Sequence, residues 1–428
     1  MRTISPIPTS QTRVSCDDTV SEGGEVPSSY GVAVGKLRLS QFRNYESLSL
    51  SCHSGPVIIT GPNGAGKTNL LEAVSLLAPG RGLRSAQKSA FSHAPAGSAS
   101  DGSLSPPSIW SVYAEAVSDN TSYAIGTGLN PEQPEQSRLV RIDGQASSQS
   151  QLSHLFGLSW LTPQMDGLFI QSSSSRRRFI DRLAISFDPA HAGRVSRYEK
   201  TWRQRNRLLS EPQADLTWLS SLEQLLAETG VAIMVARMQL LAEICTQSEM
   251  MQTAFPKITG QMTGQMAVWL EQGLPAIDIE DRVMESARQN RETGDNSLPG
   301  PHEADLSLWF QGQPASQAST GEQKALLISM VLAHAQLQRR RLMRPPLLLL
   351  DDVAAHLDAD RRHQLFGLCT DLNTQIWYSG TDEDQFSDLA HTGQFIRIEN
   401  GSVCSSSGCI ENGDEPSSGH QLQITRQG

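Results

Sequence analysis

Three short runs of residues have types and spacing that could do chemistry. The first is Gly61-Pro62-Asn63-Gly64-Ala65-Gly66-Lys67-Thr68. It follows an apolar stretch, Val57-Ile58-Ile59-Thr60, and precedes Leu70, Leu71, Ala73, Val74 and Leu77, which recur at helical spacing. Glycines at these positions let backbone N–H groups turn inward around phosphate oxygens, and the next helix presents its positive end. The run fits the P-loop pattern G-x-x-x-x-G-K-[ST]: Lys67 is expected to reach the β and γ phosphates of ATP, and Thr68 to hold Mg²⁺.

The second run, Leu347-Leu348-Leu349-Leu350-Asp351-Asp352, is apolar throughout and ends in two acids. A buried parallel strand delivers carboxylates at its carboxyl end. Asp351 is therefore assigned to Mg²⁺ and Asp352 to the water that attacks the γ phosphate. The third run, Ser316 to Lys324, places Ser319 and Gly321 at the start of an apolar helix, Ala325 to Leu337. A hydroxyl, free N–H groups and the helix dipole can together take an anion there. An ordinary helix cap looks the same in isolation; position ahead of the acidic strand favours the ligand reading.

These runs need elements to hold them. Val34, Leu37, Leu39, Phe42, Leu48 and Leu50 predict strands with a turn at Arg43–Asn44, and residues 109–143 alternate as strands do. Between about 173 and 250 the chain reads as helical, with Leu222, Leu225, Leu226, Ile233, Leu240, Leu241 and Ile244 forming a stripe over 220–245. That stripe does not sustain the heptads of a long coiled coil. After about residue 300 the strand–helix–strand pattern returns, so the nucleotide motifs flank a helical insertion. Low hydrophobicity over 1–30, 94–108 and the tail beyond about 402 predicts little order there.

With 428 residues, 38% of them hydrophobic, the chain can bury a large core. It has no run of 18 apolar residues, and Met1 to Tyr30 lacks the apolar centre of a signal peptide. The expectation is a cytoplasmic protein with no membrane partner. Six scattered cysteines without a C-x-x-C pair predict free thiols.

The motifs together resemble the RecF family within the ABC/SMC class of ATPases, over about residues 32–400. LRLSQFRNYESLSL followed by GPNGAGKTNLLEA is similar to the family's amino-terminal signature, which adds Arg43 to the nucleotide-binding set. WLTPQMDGLF, residues 160–169, resembles its Q-loop, with Gln164 serving Mg²⁺ and catalysis. Residues 179–209 resemble its helical arm, ASTGEQKALLISMVLAHAQL its signature motif, LLLLDDVAAHLDADRR its Walker B strand and D-loop, and YSGTD, residues 378–382, its switch segment. The resemblance implies an α/β fold, an ABC-class ATPase head (mixed sheet plus parallel P-loop core) with an inserted helical arm. Its expected divisions are a disordered extension over 1–30, head over 31–170 and 301–400, arm over 171–300 and a disordered tail over 401–428. It further implies an ATP-dependent homodimer, each ATP lying between one P-loop and the partner's Ser319–Gly321, that grips DNA at gap junctions and helps load RecA with RecO and RecR. Asp352 stands where ABC ATPases usually carry Glu, and the switch segment has no histidine, so slow, DNA-stimulated hydrolysis is expected.

The net charge of −10 argues against nucleic acid only if basic residues are dispersed. Between Ser173 and Ser210 there are ten Arg and Lys against three Asp and Glu. Arg194, Arg197, Lys200, Arg203 and Arg207 are the candidate DNA contacts, spaced to stripe a helix. Two other classes fit less well. An ABC transporter subunit would not separate Lys67 from Ser319 by 252 positions, and an SMC-, Rad50- or RecN-like repair ATPase would carry a longer coiled coil.

Overall fold

The computed structural model describes residues 31–93, 109–130, 138–211, 213 and 215–407; the stretches 1–30 and 94–108 expected to lack order lie outside them. The alternating amino-terminal segment folds as a hairpin, β1 (Val32–Phe42) and β2 (Tyr45–Ser51), turning at Arg43 and Asn44. The continuously apolar β3 (Val57–Thr60) is buried at every position and leads through the glycine-rich loop into α1 (Lys67–Ser75). Then come β4 (Ser111–Ser118), β5 (Thr121–Gly128), β6 (Leu139–Ile142), β7 (Gln145–Ser147), α2 (Gln149–Leu155) and β8 (Leu158–Leu161).

The middle of the chain holds α3 (Ser173–Ile185), α4 (Ala190–Leu209), α5 (Leu216–Met250), β9 (Thr259–Thr263), α6 (Gln265–Glu271) and α7 (Ala276–Thr293). The expected helix over 220–245 extends in both directions. Asp215 starts it early, its carboxylate accepting from the N–H groups of Thr217 (2.9 Å) and Trp218 (3.1 Å). By length and mean hydropathy α5 could cross a membrane, but it is a core helix here: Leu226, Ile233, Met234, Leu240 and Ile244 are buried, and it packs on α4, α7, α8 and β9. The strand β9 sits inside the region read as helical. Its pattern, Thr-Gly-Gln-Met-Thr, has one buried apolar residue and becomes a strand by pairing with β10 (Asp305–Phe310), which also pairs β11 (Gln313–Pro314).

The last part runs α8 (Thr320–Leu342), β12 (Leu347–Asp351), α9 (Ala359–Asp371), β13 (Ile376–Gly380), β14 (Gln394–Glu399) and β15 (Ser402–Ser407). The strand β15 corrects the expectation of a disordered tail from residue 401. Its serines lack an apolar pattern, yet Asn400 and Gly401, both at positive φ, turn the chain so that β15 pairs antiparallel with β14. Pairing satisfies its backbone, so a polar strand suffices.

Two six-stranded sheets make the α/β scaffold. One is antiparallel, ordered β2-β1-β4-β5-β6-β7; the other, β15-β14-β3-β13-β12-β8, is parallel except at β15. Strand alternation splits the parallel sheet between two cores. Val57, Ile59, Leu347, Leu349 and Trp377 face α1 and the antiparallel sheet, while Ile58, Leu348, Leu350 and Tyr378 face α8 and the arm helices. The loops after β3, β12, β13 and β8 all leave at the carboxyl edge, where such sheets bind ligands.

One side chain stitches the two sheets together. The strand β1 pairs with β2 only from Lys36 onward, so Val34, paired with Ala116 of β4, has no β2 partner on its other side. Gln375, fully buried ahead of β13, takes that place: its Oε1 accepts from Val34 N (2.9 Å), and its Nε2 donates to Val34 O (3.1 Å) and His53 O (2.7 Å). The indole of Trp377 donates to the same Oε1 at 2.8 Å. Gln375→Leu orphans these groups at about 1–3 kcal/mol each, so unfolding in urea should show a loss of at least about 3 kcal/mol. A loss under about 1 kcal/mol would mean that the amide does not join the sheets.

Candidate functional site

The P-loop is shaped from behind. Gly61 has φ 144°, and a Cβ there would lie 2.1 Å from the carbonyl oxygen of Ile398 on β14. Gly66, the cap of α1 at φ 118°, has Asn44 Nδ2 at 2.4 Å and Tyr45 Oη at 2.7 Å from its Cβ position. Both sites exclude any residue but glycine. Asn44 Nδ2 donates to Ala65 O (3.1 Å), Tyr45 Oη to Gly66 O (3.0 Å) and Gly401 N to Ala65 O (3.0 Å). The hairpin turn and the β14–β15 turn thus hold the loop's carbonyls at its rear. Pro62, Asn63 and Gly64 form its exposed tip, which the buried Ala65 follows.

Inside the loop, Lys67 Nζ donates to Gly61 O (2.7 Å) and Pro62 O (3.0 Å). Burial lowers its pKa, against the opposing pull of Asp352, Asp351 and Asp382. Three carboxylates therefore face this ammonium, one of them in the expected switch segment.

The acids are joined by a run of hydrogen bonds. Thr68 Oγ1 donates to Asp351 Oδ1 at 3.0 Å, and Ser379 Oγ donates to the same oxygen at 2.6 Å. The N–H of Asp352 donates to Ser379 Oγ at 3.0 Å. Ser379, at the end of β13, thus ties the two acids together; it lies in the expected switch segment, which gave it no role of its own. Asp352 sits at φ 52°, and its Oδ1 is buried without a hydrogen-bond partner. Burial raises the carboxyl of Asp351 above the usual carboxylate range, opposed by Ser379, Thr68 and the guanidinium of Arg84.

These residues fit a Mg–nucleotide. Thr68 and Asp351 already converge, Lys67 is within the field of both acids, and one buried carboxylate oxygen lacks a partner. Among the described residues no cluster of three His, Cys, Asp or Glu could hold a metal alone, so phosphate oxygens would have to complete the shell of a cation at Thr68 and Asp351.

Arg43 lies behind the helix. It gives both donors of its fork to Glu72, at 2.8 and 3.0 Å, and lies over the Phe91 ring. Glu72 is fully buried in α1 and also takes Arg84 Nη1 at 3.2 Å, while Arg84 bonds Asn69 Oδ1 at 2.7 Å. Arg84 was not singled out by any motif, yet its charge reaches Asp351.

Other expected residues are not brought together with the P-loop. Gln164 is exposed on a 3-10 turn, Pro163–Met165, its carbonyl accepting from Gln171 Nε2 at 3.1 Å. Ser319 caps α8 in a reciprocal capping box with Glu322 and is exposed, as is Gly321. Lys324 Nζ and the carboxylate of Asp166, 3.5 Å apart, connect α8 to the segment containing Gln164.

The arm arginines divide by role. Arg205 is fully buried against Glu223, Arg176 pairs with Asp305, and Arg194 is held by Asp188. The stripe on α4 therefore consists of Arg197, Lys200, Arg203 and Arg207, all exposed and without ion pairs among the described residues.

Residues 33–402 match the RecF/RecN/SMC N terminal domain family. A DNA replication and repair protein RecF of Agrobacterium fabrum is 41% identical over 380 residues, 87% of this chain and 98% of that protein. One from Rhizobium etli is 40% identical with the same coverage. Among solved structures, a recombination mediator protein RecF with ATP, of the RecFOR pathway, superposes with a TM-score of 0.74 at 21% identity, over 90% of this chain and 100% of that one.

The raised carboxyl of Asp351 makes a stability prediction. A folded-state pKa above the unfolded value adds stability at low pH that is lost as pH rises through the folded value. Asp351→Asn keeps an oxygen acceptor for Thr68 and Ser379 without the buried charge. Its melting temperature should exceed the parent's at neutral pH, with the gap closing below the ordinary carboxylate range. A variant less stable than the parent at neutral pH would show that the charge is not the cost.

Proposed function

The chain belongs to the RecF family, and from that premise we propose that it is an ATP-binding, DNA-binding protein of recombinational gap repair and replication, with slow hydrolysis that times its grip on DNA. The observation that carries this reading is the hydrogen-bonded set Thr68–Asp351–Ser379–Asp352 placed beside Lys67 at the carboxyl edge of the sheet. Lys67, on release from the carbonyls of Gly61 and Pro62, neutralises the β and γ phosphates. Thr68 and Asp351 would hold Mg²⁺, which would supply neutralising charge to those phosphates. The partnerless Oδ1 of Asp352 orients the attacking water and takes its proton as the γ phosphoryl group passes to it, leaving ADP and phosphate. Gln164 serves the same centre only after moving inward from its exposed turn.

The dimer reading rests on Ser319 and Gly321. Nothing within 4 Å would meet a Cβ at Gly321, and its φ is not positive, so its own chain does not require glycine there. A second protomer's ATP at close range would. Gapped DNA is proposed to lie along Arg197, Lys200, Arg203 and Arg207, and RecO, RecR and RecA to be its partners, in the cytoplasm.

Sedimentation with and without ATP and Mg²⁺ tests the switch: a dimer should form only with ATP and vanish in Lys67→Met and in Ser319→Arg. A monomer in every condition would reduce Ser319 to a helix cap. Asp352→Asn should keep ATP-dependent dimerisation and lower turnover by about 10²-fold or more. Unchanged turnover would remove Asp352 from the reaction. Replacing the four stripe residues by alanine should lower the slope of log affinity for DNA against log salt by about 3 to 4. An unchanged slope would place DNA elsewhere.

A further inference from the structure

We propose that a cavity between the exit of α1 and the base of the arm helices is a second anion site, taking a phosphomonoester of mononucleotide size. The cavity holds about 470 Å³, within the usual range for small-ligand sites of about 300–1,000 Å³. Arg81, on the turn after α1, forms one side, and Arg177, Arg178 and Arg182 of α3 form another. Arg237 of α5 and His191 of α4 also line it, as does His302.

The wall has more positive charge than its acids neutralise. Asp181 is saturated: Arg237 takes both its oxygens at 2.8 and 2.7 Å, and His191 Nε2 lies 2.8 Å from Oδ1. The other acid at the rim, Glu199, is exposed. Arg177 hydrogen-bonds only a backbone carbonyl, that of Ala304; burial and the nearby Arg237 lower its pKa, against the opposing pull of Asp305 and Asp181, neither of which is within ion-pair distance. Among the described residues Arg182 has no carboxylate partner. It lies over the Trp160 ring, its Nη atoms reach no closer than the Trp160 carbonyl at 3.5 Å and the Met165 sulfur at 3.8 Å, and its Nε is buried and unpaired. Burial pulls it down to about 9. His191 is fully buried, with Nδ1 also unpartnered. Unpaired buried charge of one sign is costly, and an anion entering the cavity would relieve it.

The ligand class follows from the lining. Several guanidinium forks from different elements suit a tetrahedral dianion better than a single carboxylate. Bare phosphate would leave most of the volume empty, and Ile185, Val195, Ile233 and Tyr198 offer an apolar wall to an attached organic group. A free mononucleotide and the 5′ end of a nucleic acid present that same chemistry.

The site is independent of the ATP switch, and full-length protein carrying Lys67→Met in every sample removes the P-loop from the measurement. Calorimetric titration compares thymidine, thymidine 5′-monophosphate and a thymidine tetranucleotide with and without a 5′ phosphate. The monophosphate should bind one to one. Arg81→Ala with Arg178→Ala, both exposed and outside the core, should weaken it about tenfold or more. Arg81→Lys with Arg178→Lys should recover part of the loss. Equal affinity for the monophosphate and the phosphorylated tetranucleotide identifies a free nucleotide as the ligand; about tenfold tighter binding of the tetranucleotide identifies a nucleic-acid end. No saturable binding of either phosphorylated probe below about 1 mM overturns the proposal. So does equal binding of the unphosphorylated probes, or an affinity that the alanine pair leaves unchanged.

Discussion

A carboxylate with no access to water lies in the helix behind the P-loop, and much of the nucleotide site follows from keeping it paired. Glu72 cannot stay buried as an isolated anion. Arg43 reaches it from the β1–β2 turn and Arg84 from the segment beyond α1. Those two partners fix where the turn and that segment lie. Once the turn is fixed, its next residues, Asn44 and Tyr45, press on Gly66 and take the loop's carbonyls. Arg84, fixed from the other side, lends its positive field to Asp351. One buried charge thereby sets the geometry of a loop it never touches.

The second constraint is the parallel sheet. Its strands are apolar on both faces because α1 and the antiparallel sheet cover one side and α8 and the arm cover the other. Charged groups of the sheet then gather at its carboxyl edge, where the strands emerge from between the layers. Thr68, Asp351, Asp352, Ser379 and Asp382 all lie there, on three different strand ends. Their convergence costs stability, since it packs acids into a poorly hydrated corner, and Lys67 is the one cation inside the loop that answers them.

How much of this was legible depends on whether a residue's role is local. Lys67, Thr68 and Asp351 carry their meaning in adjacent residues, since strand, turn and helix are continuous there, and the fold class followed from the same runs. Ser379 sat inside the expected switch segment, but its role was not legible: which acids its hydroxyl joins is unknown until β13 is known to lie beside β12. Glu72 lies inside the quoted run GPNGAGKTNLLEA, but nothing in its neighbours foretells its two arginine partners. The strands β9 and β15 were missed for a related reason, since both are made by their partners and neither has the apolar alternation of a self-evident strand. For β15 a signal did exist in Asn400-Gly401, a strong short-range mark of a hairpin, and it was passed over.

Charge counting along the arm shows the opposite error, a local signal that overstates. Ten basic residues against three acids looked like one surface, yet folding sorts them into three populations. Arg176, Arg194 and Arg205 meet acids, two of which come from remote segments, Asp305 and Glu223. A residue-by-residue tally over a window cannot see such partners. Arg178, Arg197, Lys200, Arg203 and Arg207 remain exposed, where phosphate would find them. Arg177 and Arg182 belong to neither group: Arg177 bonds the Ala304 carbonyl and feels Asp305 and Asp181 only at a distance, and Arg182 makes no ion pair among the described residues. A fold that could pair its arginines with acids drawn from well over a hundred residues away, as it does for Arg176, leaves these two without one. That contrast within a single helix is the physical reason for assigning their charge to something the chain itself does not supply.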